Sequence, residues 1–343
     1  MSKASKASLV LTLSLAVLTA ISVFTVEPEP DPFFAGLPVF DLEGHRGARG
    51  LYPENTLAGF RGALAIGVTT LEMDLAMTGD GEVVVHHDLR LSPERTRGPD
   101  GEWLEGPGPT LIDLDLAALK AYDVGRPRPG SAAVARWPEQ QGVDGATIPT
   151  IGETVALAES ASGGRIRYSL EAKLTPLSPE LSPDPGSFAD ALVAAIRAAG
   201  IVERSAVQSF DWRLLAAVHQ RAPELRRVFL TSEAAGFDTV GRGKPGASPW
   251  TAGLDIDEHD ASVPRLVAAA GGRLWAPRLE DLRDNDLAEA RRLGLRVLVW
   301  TVNEPDIMAA LLDRQVFGII TDYPDRLRAV MAERGMTLPP AYE

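Results

Sequence analysis

From residue 39 almost to its end, the chain alternates short apolar, β-branched runs with stretches of helical spacing. The runs that read as strands are 39–42, 70–76, 83–85, 166–170, 205–208, 227–230, 274–276, 297–301 and 318–321. Helical patterns lie between most of them, at 55–66 (with Asn55 or Thr56 as cap), 187–199, 212–221, 285–293 and 305–315. Strand–helix alternation over this length predicts a parallel α/β fold, because each helix carries the chain back to start a strand in the same direction. Polar residues recur at the C-terminal ends of these strands. That favours a (β/α)8 TIM barrel, where the loops at that face build the site. The strand candidates exceed the eight staves of such a barrel by one, so one is an extra hairpin strand or is misassigned.

Residues 89–149 break the rhythm. They are rich in glycine, proline and charge, and too long for an ordinary loop. They are expected to form an insertion after the third strand, packed over the barrel mouth by Trp103, Tyr122 and Trp137. A second irregular stretch, 232–262, is a further rim candidate. At the other end, Lys3 and Lys6 precede an apolar run over 8–26, and the acidic, proline-rich 27–32 follows. A positive start, an apolar centre and an abrupt polar stop describe an export signal or an uncleaved membrane anchor. The expected organisation is therefore a signal or anchor plus linker over 1–32 and a barrel domain over 37–335, placed outside the cytoplasm.

The formal net charge of −13 leaves no basic stripe for a nucleic acid, though a site can be locally positive for a small anion. The chain has no cysteine, which removes disulfides, thiolate nucleophiles and cysteine-ligated zinc. No protein partner is implied.

Three of the five histidines lie between Asp41 and Asp88, beside an arginine and several carboxylates at strand ends. Glu72 and Asp74 are two apart on a strand, so they share a face. Paired carboxylates repel unless protons or a hard cation neutralise them, although an exposed charged strand face would give the same pattern. Glu171 and Lys173 repeat the spacing at a later strand end, either as a third ligand with a phosphate-binding cation or as a surface ion pair. His45-Arg46-Gly47 follows the first strand. A histidine there can move a proton, and Arg46 can hold a phosphate through two parallel hydrogen bonds. His86 and His87 are adjacent, so only one can look inward. Trp300 and Asn303 are candidates for the substrate rim. His219 and His259 lack such company and read as structural or surface residues.

The ordered set of motifs resembles the glycerophosphodiester phosphodiesterases. His45-Arg46-Gly47, Pro53-Glu54-Asn55-Thr56, Glu72-x-Asp74, a Thr78-x-Asp80-Gly81 turn before His87-Asp88, Glu171-x-Lys173, Ser209-Phe210, Trp300 to Asn303 and Ile319 to Asp322 occur in that order. The resemblance implies a TIM barrel with an insertion after the His-Asp motif. It implies a divalent cation, Ca²⁺ or Mg²⁺, on Glu72, Asp74 and Glu171, acid/base roles for His45 and His87, and phosphate contacts from Arg46 and Lys173. His86 departs from the family pattern, where an aliphatic residue is usual. The expected reaction is hydrolysis of a glycerophosphodiester to glycerol 3-phosphate and an alcohol. The alternatives are a phosphodiesterase acting on lysophospholipids or lipid-linked headgroups, and an exported barrel that only binds phosphate compounds.

Overall fold

A computed structural model describes residues 34–343. The N-terminal pattern expected to be a signal or anchor lies outside the described residues. Among the described residues no helix is long and apolar enough to cross a membrane. The strands are β1 (Asp41–Gly44), β2 (Thr70–Met77), β3 (Val83–Val85), β4 (Arg167–Ala172), β5 (Ser205–Ser209), β6 (Arg226–Thr231), β7 (Glu233–Ala234), β8 (Phe237–Asp238), β9 (Leu274–Pro277), β10 (Arg296–Val299) and β11 (Gly318–Thr321). The helices are α1 (Leu57–Ile66), α2 (Leu116–Leu119), α3 (Ala132–Arg136), α4 (Ile151–Ser162), α5 (Pro185–Ala198), α6 (Trp212–Arg221), α7 (Val263–Ala269), α8 (Asp284–Arg292), α9 (Pro305–Asp313) and α10 (Pro324–Glu333).

Eight strands pair in parallel in the order β1, β2, β4, β5, β6, β9, β10, β11, and β11 pairs again with β1. The sheet closes on itself, and the fold is a (β/α)8 barrel. The surplus strand is β3, which pairs antiparallel with the last three residues of β2 and forms a hairpin outside the ring. Alternation sets the barrel's two surfaces. Leu71, Met73 and Leu75 of β2 belong to the large apolar core, while Glu72 and Asp74 take the opposite face, inside the ring.

The sequence limits hold to within a few residues. Val39 is almost fully exposed and β1 begins at Asp41. Of the two cap candidates Thr56 caps α1, accepting from the Gly59 amide, and the helix ends at Gly67, whose positive φ of 92° suits glycine. Three longer helices have no counterpart in the pattern reading: α4, α7 and α10. α4 carries a recognisable start in Thr150-x-x-Glu153, a full capping box.

Residues 89–149 carry α2 and α3. They gather Leu91, Leu111, Leu119, Val124 and Ile148 into a small apolar cluster with Ala76 and Val84 of the hairpin. Trp137, at the end of α3, is buried against Tyr323 and Leu51 at the barrel top. Trp103 lies under the Arg97 guanidinium, and Tyr122 packs against the small cluster. In 232–262, β7 and β8 form a two-stranded hairpin beside the mouth.

Candidate active site

The register of β2 against β4 sets Asp74 opposite Glu171 and Glu72 opposite Ser169. Glu72, Asp74 and Glu171 thereby offer carboxylate oxygens that all lie within 4.8 Å of one another. All three side chains are buried. Two amides orient the group. Gln208 on β5 donates from Nε2 to Glu72 Oε1 at 2.9 Å, and Asn55 donates from Nδ2 to Asp74 Oδ2 at 2.7 Å. The Arg46 backbone amide donates to Glu72 Oε2 at 2.7 Å, from a residue with φ 52°.

Burial pushes the Glu72 carboxyl well above its ordinary pKa, and the charges of Asp74 and Glu171 push it further. Burial also raises Glu171, against the pull of Lys173. Asp74 goes the other way, because Arg46, His87 and Lys173 outweigh its own burial. Asp74 Oδ1 is buried without a hydrogen-bond partner. A donor set of oxygens alone, with a repelled carboxyl and an orphaned oxygen, fits a hard divalent cation.

Two histidines look onto this group. His45 follows β1, and its Nδ1 lies 2.6 Å from Asp322 Oδ1 while its Nε2 lies 4.0 Å from Glu72 Oε2. His87 follows β3, and its Nδ1 lies 2.6 Å from Asp88 Oδ1. With a carboxylate accepting at Nδ1, each neutral ring is assigned its proton there and presents Nε2 as an acceptor. Burial lowers His45 to about 4, helped by Arg49 and opposed by Asp322. Burial lowers His87 to about 3, helped by Arg46 and Lys173. Both rings are neutral at pH 7.

Comparison with known proteins supplies the context of this geometry. The glycerophosphoryl diester phosphodiesterase family model matches residues 45–326. The chain belongs to that family. It is 28% identical over 294 residues to a glycerophosphodiester phosphodiesterase of Bacillus subtilis, covering 83% of this chain and 84% of the relative. Among solved structures it is similar to a Silicibacter pomeroyi protein whose glycerophosphoryl diester phosphodiesterase designation is provisional. The TM-score is 0.77 at 35% identity, over 87% of this chain and 95% of the other. An Oleispira antarctica phosphodiesterase in complex with the product sn-glycerol-3-phosphate superposes with a TM-score of 0.61 at 20% identity, over 88% and 99% of the two chains, which speaks for the fold.

In this family member the predicted phosphate-binding cations are already engaged with carboxylates. Arg46 donates from its terminal nitrogen to Glu54 at 3.0 Å and holds Nε 3.0 Å from Asp74 Oδ2. Lys173 Nζ lies 2.5 Å from Glu171 and 3.6 Å from Asp74. Glu54, from the Pro-Glu-Asn-Thr stretch, also receives Arg95 at 2.9 Å and faces Arg49 at 3.7 Å. These arginines overcome its burial and hold it near pKa 2.

A cavity of about 710 Å³ joins these groups, lined at its polar end by His45, Arg46, Glu72, His87, Glu171 and Lys173. Trp300 lines it too, with its indole N–H donating to the Ala276 carbonyl at 2.8 Å. Asn303, expected on the substrate rim, is not part of the lining. Its amide is taken up by Asp322, donating to Oδ2 at 2.9 Å and accepting from the Asp322 backbone N–H at 3.0 Å. His86 does not line the cavity; its Nε2 is buried without a hydrogen-bond partner.

The sequence assigns no place in the site to Asp322, Arg49, Glu54 or Gln208, and offers Asn55 only as a helix cap. Four of these had a signal. Glu54 and Asn55 fall in Pro-Glu-Asn-Thr, Asp322 ends Ile-Ile-Thr-Asp, and Gln208 is a polar residue at a strand's C-terminal end. Arg49 had none.

Proposed function

We propose that this phosphoric diester hydrolase cleaves glycerophosphodiesters to glycerol 3-phosphate and an alcohol, with Glu72, Asp74 and Glu171 holding a divalent cation and His45 and His87 moving the protons. The observation that carries this reading is convergence. Three buried carboxylates from two strands gather within reach of one cation, and two of them, Glu72 and Glu171, line one cavity with two neutral imidazoles, Arg46 and Lys173.

A bound Ca²⁺ or Mg²⁺ would supply positive charge against the phosphate oxygens, and the all-oxygen ligand set suits either ion. The chain's own residues do the rest. Lys173 and Arg46 line the cavity where a diester's anionic oxygens would come, and exchanging a carboxylate partner for phosphate keeps their charge compensated. One imidazole Nε2 takes the proton of the attacking oxygen, from water or the neighbouring glycerol hydroxyl. The other ring gives a proton to the leaving alkoxide. Because burial keeps both rings neutral, the donor ring must gain its proton as the anionic diester binds and raises its pKa. Asp322 and Asp88 hold the two rings in orientation.

The test is a panel of glycerophosphocholine, glycerophosphoethanolamine and glycerophosphoinositol, with glycerol 3-phosphate and the released alcohol both quantified under Ca²⁺, Mg²⁺ and chelator. Turnover that depends on the added cation and yields glycerol 3-phosphate supports the reading. Turnover unchanged by chelator, or release of free glycerol in place of glycerol 3-phosphate, overturns it. The basic, apolar and proline-rich start supports export, and fractionation of the native host with the residue-1–32 segment present and deleted tests that.

A further inference from the structure

The polar residues that do the chemistry line only one end of the cavity. Away from them the wall is apolar and comes from three separate loops: Leu177 beyond β4, Phe210 beyond β5, and Phe237 with Trp250 from 232–262. Trp300, beyond β10, completes it. The rings form one continuous run of edge-to-face contacts. Trp300 meets Phe210 at 5.3 Å between centroids, Phe210 meets Phe237 at 4.9 Å, and Phe237 meets Trp250 at 5.6 Å. The run begins at the catalytic end, where Lys173 Nζ lies 5.8 Å from the Phe210 centroid. Within the run Phe237 is 40% exposed while Trp250 is buried, and Leu177, which lines the same cavity, is 67% exposed. Large apolar side chains left exposed on facing loops of one cavity mark a surface that something apolar covers.

The charges select among substrates. The carboxylates lining the cavity are Glu72 and Glu171, and both belong to the cation-binding group. Beside Trp300 the charged lining residue is Arg278, whose Nε lies 2.9 Å from Glu280 Oε2. An ammonium alcohol would meet a cation there and no lining carboxylate. The aromatic faces could attract a quaternary ammonium, but the rings pack against one another edge to face, and no lining carboxylate stands there to hold its charge. A hydrocarbon substituent meets neither obstacle.

We propose that the preferred substrate is a phosphodiester bearing an apolar arm, acyl, alkyl or aryl, seated along Phe210, Phe237 and Trp250. The inference rests on the phosphodiesterase reading above and deepens it. The arm can belong to the glycerol side, as in a short-chain lysophospholipid, or to the alcohol side, as in an aryl ester. The chemistry of the wall is the same for both, so the experiment has an arm for each.

The measurement is kcat/KM for two matched pairs, each kept below any micelle-forming concentration. Hexanoyl lysophosphatidylcholine is compared with glycerophosphocholine, and glycerophosphobenzyl alcohol with glycerophosphoethanol. Seating two or more methylenes, or a phenyl ring, raises kcat/KM by about tenfold or more in at least one pair. In F237S and in L177S, whose side chains lie at the exposed mouth, that ratio falls toward one. Ratios near one in both pairs for the unaltered enzyme overturn the inference while the phosphodiesterase reading stands. So does a ratio that neither variant changes. No cation-dependent turnover of any of the four compounds overturns the phosphodiesterase reading and this inference with it.

Discussion

His45 leaves β1, a stave of the closed barrel, whereas His87 leaves β3, a hairpin strand outside it. Their Nδ1 contacts are alike, each 2.6 Å from an aspartate, but the partners differ in origin. Asp88 is the next residue in the chain. Asp322 lies 277 positions away and reaches His45 because β11 pairs with β1. Asp322 is also held from several sides: Arg49 donates to both of its oxygens, Asn303 donates to Oδ2 at 2.9 Å, and the Trp137 indole donates to Oδ2 at 3.2 Å. Asp88 receives Arg95 at 2.5 Å. The His45 side chain is 10% exposed and the His87 side chain 30%. One imidazole is fixed by a closed network at the barrel top, the other by a short local clamp at the mouth. The two rings thus stand as a rigid station and a more exposed one on the same cavity.

The sharpest way to break the comparison is to remove each ring. H45A and H87A should each lose roughly 10²–10⁴ in kcat/KM on a glycerophosphodiester with saturating cation, as expected for a general acid or base. Far-ultraviolet circular dichroism should be unchanged. A variant that kept wild-type turnover would remove that histidine from the proton transfers.

The next largest effect separates the two clamps. D322N keeps one oxygen that can accept from His45 Nδ1. It also turns an N–H toward the Trp137 and Asn303 donors and leaves buried Arg49 with Glu54, at 3.7 Å, as its remaining counter-charge. Breaking a buried ion pair on one side costs about 3–5 kcal/mol, so unfolding by urea should shift strongly, with kcat falling more than KM rises. D88N acts at a partly exposed site, and Arg95 keeps Glu54 as a partner. It should cost roughly 1 kcal/mol or less. Equal losses in the two variants would show that depth of burial does not distinguish them.

The pH dependence has a definite sign. Burial places His45 near 4 and His87 near 3, below the ordinary value of 6.5. At these two rings the folded chain therefore binds fewer protons than the unfolded chain below that ordinary value. Their contribution to stability is complete above about pH 6.5 and declines as pH falls toward about 4 for His45 and about 3 for His87. In the cation-free enzyme, the imidazole resonances of both should stay in the neutral form from pH 8 to 6 in nuclear magnetic resonance titrations. H45A and H87A should each flatten the acid side of the stability curve. Titration of either ring near 6.5 would contradict its burial in the folded state.

What the sequence makes legible follows from spacing. Glu72 and Asp74 sit two apart on a strand, so their shared face follows from spacing alone. The excess of one strand candidate over eight staves leaves a hairpin strand or a misassigned run open, and the pairing of β3 decides for the hairpin. Pairings across the ring were not readable. Asp322 meets His45 only because the barrel closes, and no local pattern encodes that closure. Asn303 shows the cost of the same blindness. Its place after a strand end suggested the rim, while the fold turns its amide onto Asp322. Val39 shows the limit of propensity, since a β-branched residue with nothing to pack against stays outside the sheet.

The smallest change tests whether the inserted segment helps hold the rigid station. W137F keeps an aromatic ring to pack against Tyr323 and Leu51 and to face the Arg49 guanidinium, which lies 4.3 Å from the Trp137 ring centroid. It deletes the indole N–H that donates to Asp322 Oδ2 and trims a buried bicyclic ring to a single one. Arg49 and Asn303 still satisfy that oxygen, so the loss should be roughly 1–3 kcal/mol of stability, one hydrogen bond plus the lost packing. The expected change in kcat is a few-fold, with KM unmoved, because the ring of His45 loosens without leaving the cavity. If kcat instead fell as far as in D322N, the barrel's own contacts would be too weak to orient His45, and the indole from α3 would be the element that sets it. The contrast between the two stations would then be one between two parts of the insertion, Trp137 holding one histidine and Arg95 the other.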